Sequence, residues 1–177
     1  MAGLGRTGKG TGGSSFDSSN YDFPGVPFSR QHFNDKDKCP SHDGMVNNYG
    51  DPNNVRNCFL VGLNDLDQKQ EYVRNKIAGF FNHLIDLGVA GFRVDAAKHM
   101  WPGDILAIQK LTKDLPEGGT PFFYHEVIDQ NDGAIKVNEY YPNGLVTEFR
   151  FCQKIAQGAR NFGELGGVYD PGWGMAD

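Results

Sequence analysis

Apolar residues recur at helical spacing between Val73 and Leu87: Val73, Ile77, Phe80, Leu84 and Leu87, with Phe81 and Ile85 widening the stripe. The spacing predicts an amphipathic helix. Asp67, with Gln70 three residues on, reads as a capping box at its start. Gly88 reads as the residue just past its end, where a left-handed backbone is favoured. The run Ala90–Val94 then predicts a short strand carrying charges at Arg93 and Asp95. Asp104 opens a second helical pattern whose apolar face is Ile105, Ile108, Leu111 and Leu115. A turn at Pro116–Thr120 leads to a strand over Pro121–Ile128. After a loop or short helix, a third strand covers Leu145–Phe149, a weaker helix Cys152–Phe162, and a Gly-rich loop Gly166–Asp177.

Residues 1–66 read differently. They are rich in Gly, Asn, Asp, Ser and Pro, and Asp22–Pro27 and Asn47–Pro52 are turn chemistry. Met1–Ser19 has the composition of a disordered segment. Cys58–Leu63 is the run expected to be buried. The chain therefore divides into a loop-rich part, 1–66, and a part of alternating helices and strands, 67–177. Helix–strand alternation means parallel strands with crossover helices, an α/β fold. Three strands are too few for a closed barrel, which needs roughly 250 residues for eight strands. At 177 residues the chain reads as a middle piece of something longer.

Composition narrows the function classes. The net charge is −5 and no Lys/Arg run occurs, which gives nucleic-acid binding no support. No apolar run reaches the ~18 residues of a membrane span. The N-terminus lacks the apolar core of a secretory signal, so the protein is either cytosolic or read without its signal segment. The 3 cysteines, Cys39, Cys58 and Cys152, allow one internal bridge at most, and sequence alone leaves the pairing open.

Residues two apart in a strand share a face. Arg93 and Asp95 therefore point one way, and Phe92 and Val94 the other. Glu126 ends the next strand with Tyr124 on its face. Two acids at the tips of successive parallel strands point into one mouth, where such folds place their chemistry. A glycosidase needs this pair, one carboxylate to attack and one to protonate the leaving oxygen. The same spacing describes barrels that use acids as metal ligands. A structural ion pair between Arg93 and Asp95 and a solvated Glu126 are the plain alternatives.

Gly88–Ile105, with its Gly-Phe-Arg-Val-Asp-Ala-Ala-Lys-His-Met-Trp-Pro core, closely resembles the central motif of the animal-type α-amylases. Glu126–Asp129 resembles their next motif, and Val55–Cys58, Leu60–Leu66 and Val146–Phe149 add to the match. The resemblance implies a partial (β/α)8 TIM barrel, about strands 4 to 6, carrying part of a loop-rich inserted domain B over residues 1–66. It implies retaining endo-hydrolysis of α-1,4 bonds in starch, glycogen and maltooligosaccharides. Asp95 would be the nucleophile and Glu126 the acid/base. Lys98, His99 and Tyr49 would contact sugar. A structural calcium would take the Asp65 carboxylate and the backbone carbonyls of Arg56 and His99, and Arg93 would help hold chloride. Cys39 and Cys58 would form a disulfide. The full-length enzyme would be secreted and monomeric, with its third acid and a further calcium ligand outside this chain. A non-catalytic carbohydrate-binding or transport relative, and a related α-glucosidase or transglycosylase, are the rival readings. His125 stands where many relatives have glutamine, and Cys152 has no partner in the motif.

Overall fold

The computed structural model describes residues 6–161 together with 164 and 166. It opens on an antiparallel hairpin, β1 (Thr7–Lys9) against β2 (Ser15–Asp17), turning through Gly13 at φ +89°. The expected disorder of Met1–Ser19 is thus corrected over its described part. The cause is a polar lock: buried Ser18 accepts from the Arg6 N–H at 2.9 Å and donates to its carbonyl at 3.0 Å. Beyond the hairpin the chain is mostly turns. Tyr21 and Phe23 pack on Phe33 at centroid distances of 5.2 and 5.6 Å. A short helix α1 (Pro52–Asn57) starts with Pro52 in its first turn, and Asp51 accepts from the Asn53 N–H at 2.9 Å.

The run Cys58–Leu63 is only half buried. Cys58 and Phe59 are inside, but Val61 is 84% exposed at φ 45°. Phe59 bridges to Met45, its N–H bonded to Gly44 and its carbonyl to Val46. The chain must turn straight after that bridge, and Val61 sits on the outside of the turn.

The second part supplies α2 (Glu71–Asp86), β3 (Gly91–Val94), α3 (Pro102–Gln109), β4 (Phe122–His125), β5 (Leu145–Val146) and α4 (Arg150–Arg160). β3, β4 and β5 form a parallel three-stranded sheet in that order, with Arg93 opposite Tyr124 and His125 opposite Val146. This is the expected α/β arrangement with shorter strands. Gly91 is required by close approach, since a Cβ there would lie 2.9 Å from the Phe122 carbonyl.

Element ends differ in four places. Asp67 does not cap α2; Lys38 Nζ, at 2.6 Å, and Gln70 Nε2 take its carboxylate. α3 begins at Pro102 and stops at Gln109, leaving Leu111 exposed. Asp104 sits in its first turn, paired with Arg74 at 2.5 Å. α4 starts at Arg150, and the expected helix end at Phe162 and most of the Gly166–Asp177 loop lie outside the described residues.

Phe92 and Phe123 face α2, packing on Phe81 with ring centroids 4.6 and 5.9 Å away, the first tilted and the second edge-on. Val55 from α1 joins Ala97, Ile105, Val127, Ile135, Val137 and Tyr140 in one buried cluster, with Val94 and Val146 against it. The opposite face of β3 and β4 carries Arg93, Tyr124 and the two acids. Among the described residues no helix is long and apolar enough to cross a membrane.

Candidate active site

The site is built where β3 and β4 end. Asp95 leaves β3, and Ala96 turns the chain at φ 49°, ψ 35°, a left-handed conformation unusual for a residue with a Cβ. That turn aims two amides at one residue. Ala96 N–H donates to Glu126 Oε2 at 2.9 Å, and Ala97 N–H donates to the Glu126 carbonyl at 2.9 Å. The Glu126 N–H donates to the Val94 carbonyl at 2.9 Å. Glu126 is thus held by its side chain and by both main-chain groups.

Arg93 joins the two acids. Nη2 pairs with Glu126 Oε1 at 2.7 Å, and Nη1 donates to Asp95 Oδ1. The hydrogen bond that Arg93 donates to Asp95, with the charge of Glu126, raises the guanidinium pKa. The two side chains differ in access: Asp95 is 72% exposed and Glu126 19%. A reachable acid and a firmly held one share one cation.

Both carboxylates line a cleft of about 520 Å³ with Tyr49, Lys98 and His99. Lys98 Nζ donates to the Ile128 carbonyl at 2.8 Å and lies 4.9 Å from the Tyr49 ring centroid. Burial pulls its ammonium pKa down, opposed by the charges of Asp132 and Asp129. His99 Nδ1 lies 2.9 Å from the Val55 carbonyl and so carries the proton there, because a carbonyl can only accept. Burial lowers the His99 pKa, which favours the neutral ring. Its edge meets Tyr49 at 6.1 Å. The five residues expected to handle sugar, Asp95, Glu126, Lys98, His99 and Tyr49, therefore converge. A larger groove of about 1080 Å³ runs along α3 and β5, but neither of the paired acids lines it.

The His99–Val55 bond and the Trp101 Nε1–Asn57 Oδ1 bond, 2.9 Å, fasten the 97–101 turn to α1 and bring the Arg56 and His99 backbones together. The Asp65 carboxylate accepts from Asn34 Nδ2 at 2.7 Å. Burial pushes its carboxyl up to about 7, against the lowering effect of that hydrogen bond. An acid so placed is short of positive charge, and a hard cation would supply it. Among the described residues no three His, Cys, Asp or Glu side chains gather as a metal site, so a cation on Asp65 would need carbonyl oxygens as well. The donors present suit calcium on those grounds. Arg93 has N–H donors beyond the two its carboxylates use, which suits an anion.

Cys39 and Cys58 are disulfide-bonded with Cα atoms 4.9 Å apart, and Cys152 is an exposed free thiol. His125 does not enter the site. It is fully buried on the other face of β4, with Nδ1 3.1 Å from the Leu145 carbonyl and Nε2 3.3 Å from Gln109 Nε2. Sequence reasoning missed four cleft contributors: the Ala96 amide, Leu60, Ile128 and Asp132. Asp132 had a signal, since it lies in a polar loop directly after the Glu126 strand. A backbone amide leaves none.

No family model matches the chain. It is 48% identical to human alpha-amylase 2B over 169 residues, covering 93% of this chain and 33% of that protein. It is 44% identical to an alpha-amylase of Pecten maximus over 182 residues, covering 99% of this chain and 36% of that protein. The solved structure of wild-type alpha-amylase I from Eisenia fetida superposes with a TM-score of 0.91 at 42% identity, covering 97% of this chain and 36% of that one. A Glu-to-Gln variant of the same enzyme has been solved in complex with maltohexaose. The chain spans about a third of the length of the curated relatives it matches.

Proposed function

We propose, from the premise that this chain belongs with the animal α-amylases over the 33% of their length that it spans, that it carries two catalytic carboxylates of a retaining endo-α-1,4-glucosidase. The observation that carries the reading is the pair itself: Asp95 and Glu126, from neighbouring parallel strands, share Arg93 and open into one cleft. Asp95, the exposed acid, attacks the anomeric carbon. Glu126 gives its proton to the departing glycosidic oxygen, so the C–O bond breaks as the glycosyl–Asp95 ester forms. Water then attacks the anomeric carbon and gives a proton to Glu126 as the bond to the Asp95 oxygen breaks, restoring both acids and the original configuration. Arg93 and the Ala96 amide hold Glu126 in place, while Lys98, His99 and Tyr49 position the sugar.

Residues 67–177 correspond in this reading to part of an eight-stranded barrel, about strands 4 to 6, and residues 1–66 to part of its inserted loop domain. Calcium would be held by the Asp65 carboxylate and the carbonyls of Arg56 and His99, and its charge would offset the buried acid and tie loops to sheet. Chloride would sit on Arg93. The substrates are starch, glycogen and maltooligosaccharides, in keeping with the maltohexaose complex of the Eisenia enzyme. The Cys39–Cys58 bridge fits an oxidising, extracellular setting.

The test is Glu126→Gln in the full-length protein. Starch hydrolysis should fall by about 10²–10⁴-fold, the range for loss of a general acid/base, while maltohexaose still binds. Unchanged turnover would refute the assignment.

A further inference from the structure

Between the β1–β2 hairpin and the segment leading into α2 lies a cavity of about 700 Å³ that shares no residue with the acidic cleft. Its wall is aromatic, with Phe16, Phe23, Phe28 and Phe33 lining it. Local contacts hold these rings. Phe23 bridges to Phe28 and Phe33 to Leu66, and Phe23 packs on Phe33 at 5.6 Å. The volume suits one small organic molecule.

Two of the polar side chains at this cavity bear on what it could hold. Asn64 lines it and is 6% exposed. Its Nδ2 donates to the Ser18 carbonyl at 3.3 Å, while its Oδ1 is buried and has no partner among the described residues. A buried acceptor left unmade is costly, so this oxygen calls for a donor. Arg6 also lines the cavity and is exposed. Its main-chain N–H and carbonyl are both bonded to the Ser18 hydroxyl. Among the described residues its guanidinium forms no ion pair. Ser18 thus ties a buried acceptor and an exposed cation to one another beside four phenyl rings. Those features select a chemical class. Flat aromatic carbon suits the rings, one O–H meets Asn64 Oδ1, and a carboxylate meets Arg6. A pyranose suits them poorly, because several hydroxyls would be buried against rings with one buried acceptor to serve them.

We propose that this cavity binds a phenolic acid, with its ring among the four phenylalanines, its phenol O–H on Asn64 Oδ1 and its carboxylate on Arg6. The probe is 4-hydroxycinnamate, titrated calorimetrically into the full-length protein at pH 7, where the phenol keeps its proton and the acid is ionised. Binding should saturate at one molecule per chain, and saturating maltohexaose should leave it unchanged in the Glu126→Gln variant. Cinnamate, which lacks the hydroxyl, should bind about tenfold more weakly. That difference should vanish in Asn64→Leu, as expected when one of two coupled groups is removed. Arg6→Gln should weaken 4-hydroxycinnamate about threefold at low salt, the worth of an exposed ion pair, and leave its methyl ester unaffected. Arg6 is exposed, so this variant and the cinnamate comparison in the parent protein decide the matter even if Asn64→Leu does not fold. An absence of saturable binding would overturn the proposal, as would equal affinity of the parent for cinnamate and 4-hydroxycinnamate. Displacement by maltohexaose would place the acid in the sugar cleft and overturn it as well.

Discussion

Arg56→Met tests how the loop-rich part is fastened to the sheet. Arg56 is 3% exposed. Its Nη2 donates to Glu139 Oε2 at 2.8 Å and to the Tyr140 hydroxyl at 3.0 Å, and Nε donates to the same hydroxyl at 3.2 Å. Its guanidinium lies 4.8 Å from the Trp101 ring and 5.5 Å from that of Tyr140. Methionine keeps an apolar stem against those rings and deletes the charge. The Tyr140 hydroxyl keeps its own bond to the Met100 carbonyl at 2.9 Å, so no donor is orphaned there. Glu139 is 35% exposed and can rehydrate. Breaking a buried pair costs about 3–5 kcal/mol, and rehydration places this one near 3. Glu139→Gln, which leaves the cation buried without its counter-charge, should cost at least as much. The double variant should recover part of the loss, with a coupling energy above about 1 kcal/mol. The assay is the urea midpoint at constant m-value for parent, singles and double. A loss under about 1 kcal/mol for Arg56→Met, or strict additivity, would refute the reasoning. Because the proposed calcium contact uses the Arg56 carbonyl, calcium affinity should survive the change.

Three further outcomes follow. Burial lowers the His125 pKa below 6.5, so the unfolded chain binds the proton more readily. Stability is then fully present above pH 6.5 and is lost as pH falls through the folded value; His125→Gln should flatten that part of a stability–pH curve, and an unchanged slope would exclude His125 as its source. Reducing the Cys39–Cys58 bridge, which spans a sequence separation of 19, should cost about 3 kcal/mol by loop entropy, and the Cys39→Ser variant should reproduce the loss without reductant. Chelating calcium should lower the Tm of the full-length protein, and Asp65→Asn should shrink that shift; an equal shift in the variant would remove Asp65 from the ligand set.

Local patterns announced what depends on local geometry. The stripe from Val73 to Leu87 gave α2, and Gly88 ends it at φ +96° as its position requires. Period two placed Asp95 and Phe92 on opposite faces, and Phe92 does pack on α2. What failed was non-local. Asp67 looked like a cap, but its carboxylate is claimed by Lys38, 29 residues earlier. Val61 sat in an apolar run, but Phe59 had already bonded to the 44–46 segment, forcing a turn that no spacing announces. The fastening of His99 to Val55, 44 residues away, was equally invisible.

The site shows the same division at closer range. His125 and Glu126 are neighbours, so a departure at 125 suggests altered chemistry at 126. The pleat separates them. His125 faces α3, where Gln109 meets its Nε2 and the Leu145 carbonyl its Nδ1. Glu126 faces the cleft, where its partners come from the preceding strand's end: Arg93, the Ala96 amide and the Ala97 amide. Those partners depend on one strained residue. A left-handed non-glycine backbone costs about 1–2 kcal/mol, and at Ala96 the cost is offset by two hydrogen bonds to the same acid. The turn that displays Asp95 is therefore also the turn that grips Glu126. The spacing of the two carboxylates is set by residues 95–97 rather than by the strands alone, so a backbone change at Ala96 must displace both acids together.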